Sequence, residues 1–315
     1  MAKNKIQFQP GLSVITFQER YGSQQQCEQA LFRLRWPSGF MCPRCGHNHY
    51  YKLKTRPVLQ CTSCRHQCSL ISNTIFASTK LTLKVWFWAI YFITQSKNGI
   101  SSLSLSRSIG VSANTALRIK HKLQQVMKDA DDSIVLSEII QIDDAYWGGK
   151  KHDGWRGRGA TGKTPFLAAI STNLQGHPVH MRLSRVSSFT SAEISAWAQK
   201  HLCSNSLVLT DGMPGFKGIG DTGIFHKAVV TGGGYESVKI EAFRWVNTML
   251  GNVKRSLHGT YHSISKKHLP RYLAEFRFRF NHRFYMPSMI TKLLRAAINS
   301  KPIPQHKLKL AEDWW

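Results

Sequence analysis

Two sets of residues could do chemistry. An apolar run, Ile139-Ile140-Gln141-Ile142, ends in the adjacent carboxylates Asp143 and Asp144 and then runs through Ala145-Tyr146-Trp147 into the turn Gly148-Gly149. A buried strand that delivers a carboxylate at its end can seat a hard divalent cation, which takes one or two carboxylates, several waters and substrate phosphate oxygens. A solvated strand end is the plainer reading. A second apolar run, Ser206 to Thr210, ends at Asp211-Gly212, and two acidic strand ends in one sheet can converge on one metal pair. The other set is Cys42-Pro43-Arg44-Cys45 and Cys61-Thr62-Ser63-Cys64, with fifteen residues between the pairs. Two C-x₂-C knuckles at this separation predict a closed four-thiolate Zn²⁺ site of structural type. Cys68, His47, His49 and His66 lie close enough in sequence to replace a ligand, and four unligated thiols are the plainer alternative. A ribbon this short has little core of its own, so it is expected to unfold without metal. Cys27 and Cys203 sit in apolar settings and read as packing residues.

The composition says what such sites act on. In 315 residues, 43 Lys and Arg against 17 Asp and Glu leave a formal charge of +26. So large an excess predicts a polyanionic partner, most simply nucleic acid, with a membrane surface as the competitor. The most apolar run, Val85 to Ile93, is too short to span a bilayer. Met1 to Pro10 is polar and has no secretory signal character. The expected location is the cytoplasm, where cysteines serve as ligands or free thiols rather than disulfides.

Phe17 to Trp36 has helical periodicity and stops at Pro37-Ser38-Gly39. Lys80 to Thr94 reads as a buried aromatic helix. Ser104 to Lys120 has helix-turn-helix form: Gly110 at the turn, Ser112 as a cap, and Ala116, Ile119 and Leu123 as the inner stripe. Asn114, Thr115, Arg118 and Lys122 would then face outward, where such a helix meets a major groove. An ordinary helical hairpin is the alternative. Asp129 to Ser137 reads as a linker. Beyond it come strand candidates at Ile139 onward, Pro165 to Thr172, Pro178 to Val186, Ser206 to Thr210 and His226 to Val230. Helices are expected at Ser191 to Leu202, about Val238 to His258, and Lys266 to Arg283. The last has an inner stripe of Leu269, Tyr272, Leu273, Phe276 and Phe280, with Arg271, Arg279 and Arg283 off it. This order predicts an α/β fold with a mixed sheet. The expected domains are 1–75 (N-terminal helix and zinc ribbon), 76–133 (helix-turn-helix), 134–300 (catalytic) and a tail at 301–315.

Gly157 to Thr164 fits the phosphate-cradling pattern G-x-x-x-x-G-K-[ST], and Leu207 to Asp211 imitates its partner strand. That motif needs a strand before it and a helix after it. Lys151 to Arg156 is no strand, and Pro165 to Ser171 reads as one. Arg156, Arg158 and Lys163 are better assigned to DNA phosphates or to solvent, and no nucleotide cofactor is expected.

The ordered set of motifs resembles a family of bacterial insertion-sequence transposases, the one numbered fifteen-ninety-five. It comprises the zinc ribbon, Asp143 to Lys150, Leu209 to Gly212, Asn247 to His262, Arg271 to Phe276 and Arg279 to Asn281. The resemblance spans roughly residues 15 to 285 and implies an RNase-H-like catalytic domain with an acidic triad, followed seven residues later by a basic residue. It places the first carboxylate on Asp143 and the second on Asp211. The third position is Asn247, where many members have Glu, and the basic residue is Lys254. Asp144, where the family commonly has Glu, is expected behind the metal rather than on it. Glu241 and Glu236 are the nearest carboxylates that could take the place of Asn247. Asn247 and Lys254 are two helical turns apart and share a face. His226, His258 and His262 are read as structural.

The implied activity is metal-dependent phosphoryl transfer: hydrolysis at the element's terminal repeats, then attack of the freed 3′-hydroxyl on target DNA. Mg²⁺ or Mn²⁺ would be held by Asp143, Asp211 and Asn247, with Zn²⁺ structural. The expected partners are double-stranded DNA and further copies of the chain in a synaptic complex, with no membrane. The rivals are a DNA-binding regulator with an inactive RNase-H-like domain, a nuclease that stops after cutting, and the ATPase rejected above.

Overall fold

A computed structural model of the chain describes residues 10–148, 163–230 and 240–311. They form two compact units. One comprises the chain up to Ala130 together with the segment from His282 onward, and the other runs from Asp131 to Asn281.

The first unit begins with helices α1 (Val14–Tyr21) and α2 (Gln24–Arg35). The single helix expected over Phe17 to Trp36 is therefore two. Gly22 ends the first and Ser23 caps the second: the Ser23 hydroxyl accepts from the Gln26 N–H, and the Gln26 side chain accepts from the Ser23 N–H. This reciprocal box satisfies helix-end donors that a continuous helix would not have had. A small antiparallel sheet follows, β1 (Tyr50–Lys52), β2 (Val58–Cys61) and β3 (Gln67–Ser69). Then come α3 (Leu83–Gln95), α4 (Ser102–Ile109) and α5 (Ala113–Ala130). Trp86, Phe87 and Tyr91 of α3 are buried. The Phe17 ring packs within 4.6 Å of Trp88 and Tyr91, centroid to centroid.

The second unit is built on a five-stranded mixed sheet. Its elements are β4 (Ile139–Trp147), β5 (Thr164–Thr172), β6 (Pro178–Arg185), α6 (Ser191–His201), β7 (Leu207–Thr210), α7 (Lys217–Gly220), β8 (Phe225–Ala228), α8 (Arg244–Tyr261) and α9 (Leu269–Asn281). The strand order is β6-β5-β4-β7-β8, with β4, β5 and β6 antiparallel in sequence and β7 and β8 parallel to β4. This is the expected RNase-H-like mixed sheet. One face, including Ile140, Ile142, Leu167 and Val208, packs on α6 and α7. The other, including Ala145, Trp147, Phe166 and Ala168, packs on α8 and α9.

Helix α9 departs from the expected stripe. Arg271 is fully buried, and Arg277 and Arg279 are buried too. Internal acceptors make this tolerable, because a buried charge is stable only when paired. Arg279 donates to Glu275 at 2.6 Å, and Glu275 also accepts from the Tyr261 hydroxyl at 2.9 Å.

The segment 129–137, expected as a linker, is fixed over its central residues. Arg182 donates to the Asp132 carboxylate at 2.6 Å and to the Ile134 carbonyl at 3.1 Å. The Asn281 amide donates to Asp131 at 3.0 Å and accepts from the Met181 N–H at 2.8 Å. The chain thus enters and leaves this unit at adjacent points.

Helices α10 (Met289–Asn299) and α11 (Gln305–Leu310) complete the first unit. The expected catalytic boundary at 300 and tail at 301–315 give way to a break after Asn281. The apolar stripe of α10 (Met289, Ile290, Leu293, Leu294, Ala297, Ile298) is buried against α2, α3 and α5. Among the described residues no helix is long and apolar enough to cross a membrane.

Candidate functional site

The carboxylate cluster follows from the sheet. β4 and β7 run parallel with Gln141 opposite Leu209, so two residues further along each chain Asp143 stands level with Asp211. The ladder between the two strands covers only Ile139 to Gln141 of β4, so Asp143 and Asp144 are paired on the β5 side alone, opposite Ala168 and Leu167. After Asp211 the chain turns at Gly212, whose φ of +84° suits glycine. The Met213 N–H donates to the Asp211 carboxylate at 3.0 Å and fixes its direction. Carboxylate oxygens of Asp143, Asp144 and Asp211 lie within 4.8 Å of one another.

Asp144 was expected behind the metal. Strand alternation puts it on the α6 face with Ile142, and its carboxylate still lies within 4.8 Å of those of Asp143 and Asp211. Burial, and then the charges of Asp144 and Asp211, push the Asp143 carboxyl up to about 7; the positive charge of Lys254 pulls it back. Three converging carboxylates, one of them costly to ionise, are the donor set that a hard divalent cation stabilises.

Asn247 and Lys254 lie on α8, both half-buried. The buried stripe of that helix (Val246, Leu250, Val253, Leu257) packs on the Ala145 and Trp147 face of the sheet. Glu241 does not join the cluster: its side chain is 79 % exposed and pairs with Arg244 at 3.0 Å. Glu236 lies outside the described residues. His226 bonds Thr210 at 2.8 Å, and the His258 ring lies 4.6 Å from that of Trp147, both structural placements.

The four thiols of Cys42, Cys45, Cys61 and Cys64 also converge within 4.8 Å, with Cys42 to Cys64 and Cys45 to Cys61 at 3.6 Å. Sulfurs about 2.3 Å from a tetrahedral zinc stand roughly 3.8 Å apart, so the thiols fit that ion. The two knuckles repeat: Cys42 N–H donates to the His47 carbonyl and Cys61 N–H to that of His66, each at 2.9 Å. Burial opposes ionisation of Cys42, but the Cys45 and Arg44 N–H groups and the neighbouring thiols outweigh it and hold this thiol down at about 6. Cys68 packs in the ribbon's small core with Trp36, Phe40 and Leu59 instead of joining the set. Cys27 is buried, and burial pushes its thiol up to about 12, which suits a packing residue.

Helices α4 and α5 meet at Gly110, φ +68°, and Ser112 accepts from the Thr115 N–H at 3.2 Å. Asn114 and Arg118 are exposed, and Thr115 is half-buried with its hydroxyl on Ser112. Lys122 was expected to face outward and does not. Its ammonium donates to the Ile75 carbonyl at 3.3 Å and lies 6.0 Å from the Trp86 ring, and burial lowers its pKa. Two turns along α5 the helix faces the unit's own core, and the long side chain bends to a carbonyl there. Arg156 and Arg158 lie outside the described residues, and Lys163 stands half-buried just before β5. A strand begins at Thr164, where a phosphate-cradling loop would need a helix.

Sequence reasoning missed Gln141. Its side-chain oxygen accepts from the Trp245 and Val246 N–H groups, at 3.0 and 3.1 Å. No local signal marks a partner a hundred residues away in the chain.

Residues 135–281 match the family described as an ISXO2-like transposase domain, and residues 22–67 match a transposase zinc-ribbon domain. A Halobacterium salinarum protein described as uncharacterised, in the transposable element ISH50, is 24 % identical over 278 residues, covering 82 % of this chain and 90 % of its own. Among solved structures, a simian T-cell lymphotropic virus intasome in complex with a PP2A regulatory subunit aligns at 14 % identity and TM-score 0.29, over 55 % of this chain and 63 % of that one. The Mos1 mariner paired end complex with Mn aligns at 12 % and 0.22, over 59 % and 74 %. Both scores are too low to carry function. With a transposase zinc ribbon and a transposase domain in this order, the chain belongs to the IS1595 family of transposases.

Proposed function

We propose that the chain is a DNA transposase that cuts at the terminal repeats of an insertion sequence and joins the freed end to target DNA. The observation that carries this reading is the convergence of Asp143, Asp144 and Asp211 from two strands of an RNase-H-like sheet, within reach of the charge of Lys254. Asp143 and Asp211 would hold the catalytic metal, with the Asp144 carboxylate beside them and the Asn247 amide oxygen as a neutral ligand. Mg²⁺ or Mn²⁺, when bound, activates the attacking oxygen and stabilises the leaving one.

In the first step water attacks phosphorus at the element's end, and the P–O3′ bond breaks to leave a 3′-hydroxyl. In the second that hydroxyl attacks a target phosphorus, and the target's own P–O3′ bond breaks. Lys254 would pair with a phosphate oxygen beside the cleaved bond. No protein nucleophile is required, and His226 only braces Thr210 ahead of Asp211. Asn114, Thr115 and Arg118 at the start of α5 would read the repeats in a major groove, and Arg156, Arg158 and Lys163 would meet phosphates. The formal charge of +26 makes binding steeply salt-dependent. The setting is the bacterial cytoplasm, with copies of the chain assembled on paired ends.

One observation favours a second reading, a DNA-binding regulator: position 247 is the amide Asn247, where the family resemblance implies a carboxylate in many members. Incubation of the whole protein with terminal-repeat DNA and Mg²⁺ separates the readings. Joined products support the transposase, cut but unjoined ends support a nuclease, and binding without cutting supports the regulator.

A further inference from the structure

We infer that Gln141 is a positioning residue for the reaction: its side chain registers the helix that carries Asn247 and Lys254 against the strand that carries Asp143. The first N–H groups of any helix have no intrahelical acceptor. α8 begins at Arg244 behind Phe243, which has no side-chain acceptor to offer. The Trp245 and Val246 N–H groups donate instead to the Gln141 Oε1, at 3.0 and 3.1 Å. Those are the second and third helical positions, the ones a capping side chain ordinarily satisfies. Here the cap comes from the central strand of the sheet.

Gln141 and Val246 are both buried, so water is a poor substitute for the acceptor. The backbone of Gln141 is itself fixed between Ile170 of β5 and Leu209 of β7. Gln141 and Asp143 are two residues apart on one strand and share a face. Asn247 follows Val246 directly, so the bond that sets the helix start also sets where Asn247 points. A slip of one residue would rotate α8 by about 100° and swing Lys254, whose charge acts on Asp143, together with Asn247 to another side of the helix. The Trp245 indole supports the same start by donating to the Gly176 carbonyl at 2.7 Å. This inference rests on the transposase reading for its catalytic consequence, but not for the tie itself.

The test uses the full chain with Gln141→Met, which keeps length and burial but has no oxygen acceptor, and Gln141→Glu, which keeps the acceptor at a helix N-terminus. Amide exchange at Trp245 and Val246 is read beside strand cleavage at saturating Mg²⁺ and DNA. Gln141→Met should exchange at least about tenfold faster there and cut roughly 10–100-fold more slowly, the cost of a small misplacement, with DNA affinity unchanged. Gln141→Glu should keep those amides protected and recover most of the rate. Unchanged protection in Gln141→Met, or wild-type cleavage by it, overturns the proposal. Should Gln141→Met fail to fold, a Gln141→Glu that keeps its amides protected yet cuts at least about tenfold more slowly than wild type would overturn it, and a near-wild-type rate would sustain it. A wild-type protein that never cuts overturns the transposase reading and the catalytic role together. The exchange rates then show that it was the reaction, and not the tie, that failed.

Discussion

Asp143 and Asp211 stand level because β4 and β7 run parallel with Gln141 opposite Leu209. They are sixty-eight positions apart in sequence, and the sheet brings their carboxylates within 4.8 Å of each other and of Asp144. Replacing Asp143 or Asp211 with Asn should therefore leave the fold intact and abolish strand cleavage, by more than about 100-fold, since even the outer partners of a metal site are worth roughly 10–100-fold. Asp144→Asn should weaken Mn²⁺ binding by less than either. Calorimetric Mn²⁺ titration of the three variants checks the ranking; an Asp144→Asn that loses the most would reverse the assignment.

Metal affinity should rise with pH. The folded-state pKa of Asp143, about 7, lies above its ordinary value because burial and two neighbouring carboxylates disfavour the charge. A raised carboxyl contributes stability that is fully present below its unfolded pKa and is lost as pH rises through the folded one, here across about pH 4 to 7. A divalent cation competes with that proton, so Mg²⁺ should bind roughly tenfold more tightly at pH 8 than at pH 6. Asp143→Asn should flatten this dependence. Titrations at the two pH values measure it.

Zinc removal should unfold the ribbon selectively. Its buried apolar residues are few, Trp36, Phe40 and Leu59 with Cys42, Cys61 and Cys68, whereas structural zinc contributes about 10–16 kcal/mol in comparable small domains. A strong chelator, or Cys64→Ser, should raise amide exchange from β1 through β3 and leave β4 and β5 protected. Equal exchange with and without zinc would mean that the four thiols hold no metal.

The reading helix can be tested by contrast. Arg118→Ala should weaken binding to terminal-repeat DNA by roughly tenfold, on the scale of one base or phosphate contact, without altering Tm. Lys122→Ala should act the other way, lowering Tm because its ammonium serves the Ile75 carbonyl and leaving DNA affinity nearly unchanged. Equilibrium binding and thermal melts on both variants decide it.

What the sequence disclosed was local. Asp143 and Asp211 were legible because an apolar run that meets a carboxylate announces itself within a few residues, although β4 continues past Asp143 to Trp147 instead of ending there, and the cysteine knuckles because their spacing is set by the turn. Lys122 was misassigned because helical periodicity gives a face but not what covers it, and Ile75 and Trp86 cover this one. The break at Ser23 was hidden under a periodicity that both helices share. Strand alternation gives the face of Asp144 but not the reach of its carboxylate, which lies within 4.8 Å of those of Asp143 and Asp211. Helix α10 was not read from the sequence, and its apolar stripe gains meaning only from its packing on α2, α3 and α5. Gln141 carried no signal, because its importance lies in Trp245 and Val246.

The central claim is that Asp143, Asp211 and Asn247 form one metal-dependent site. The most direct measurement is strand cleavage and joining on terminal-repeat DNA with Mg²⁺, comparing wild type, Asp211→Ala and Asn247→Ala. The account predicts cutting and joining by wild type and loss of both in each variant. Full activity in Asn247→Ala, or binding without cutting by wild type, would contradict it.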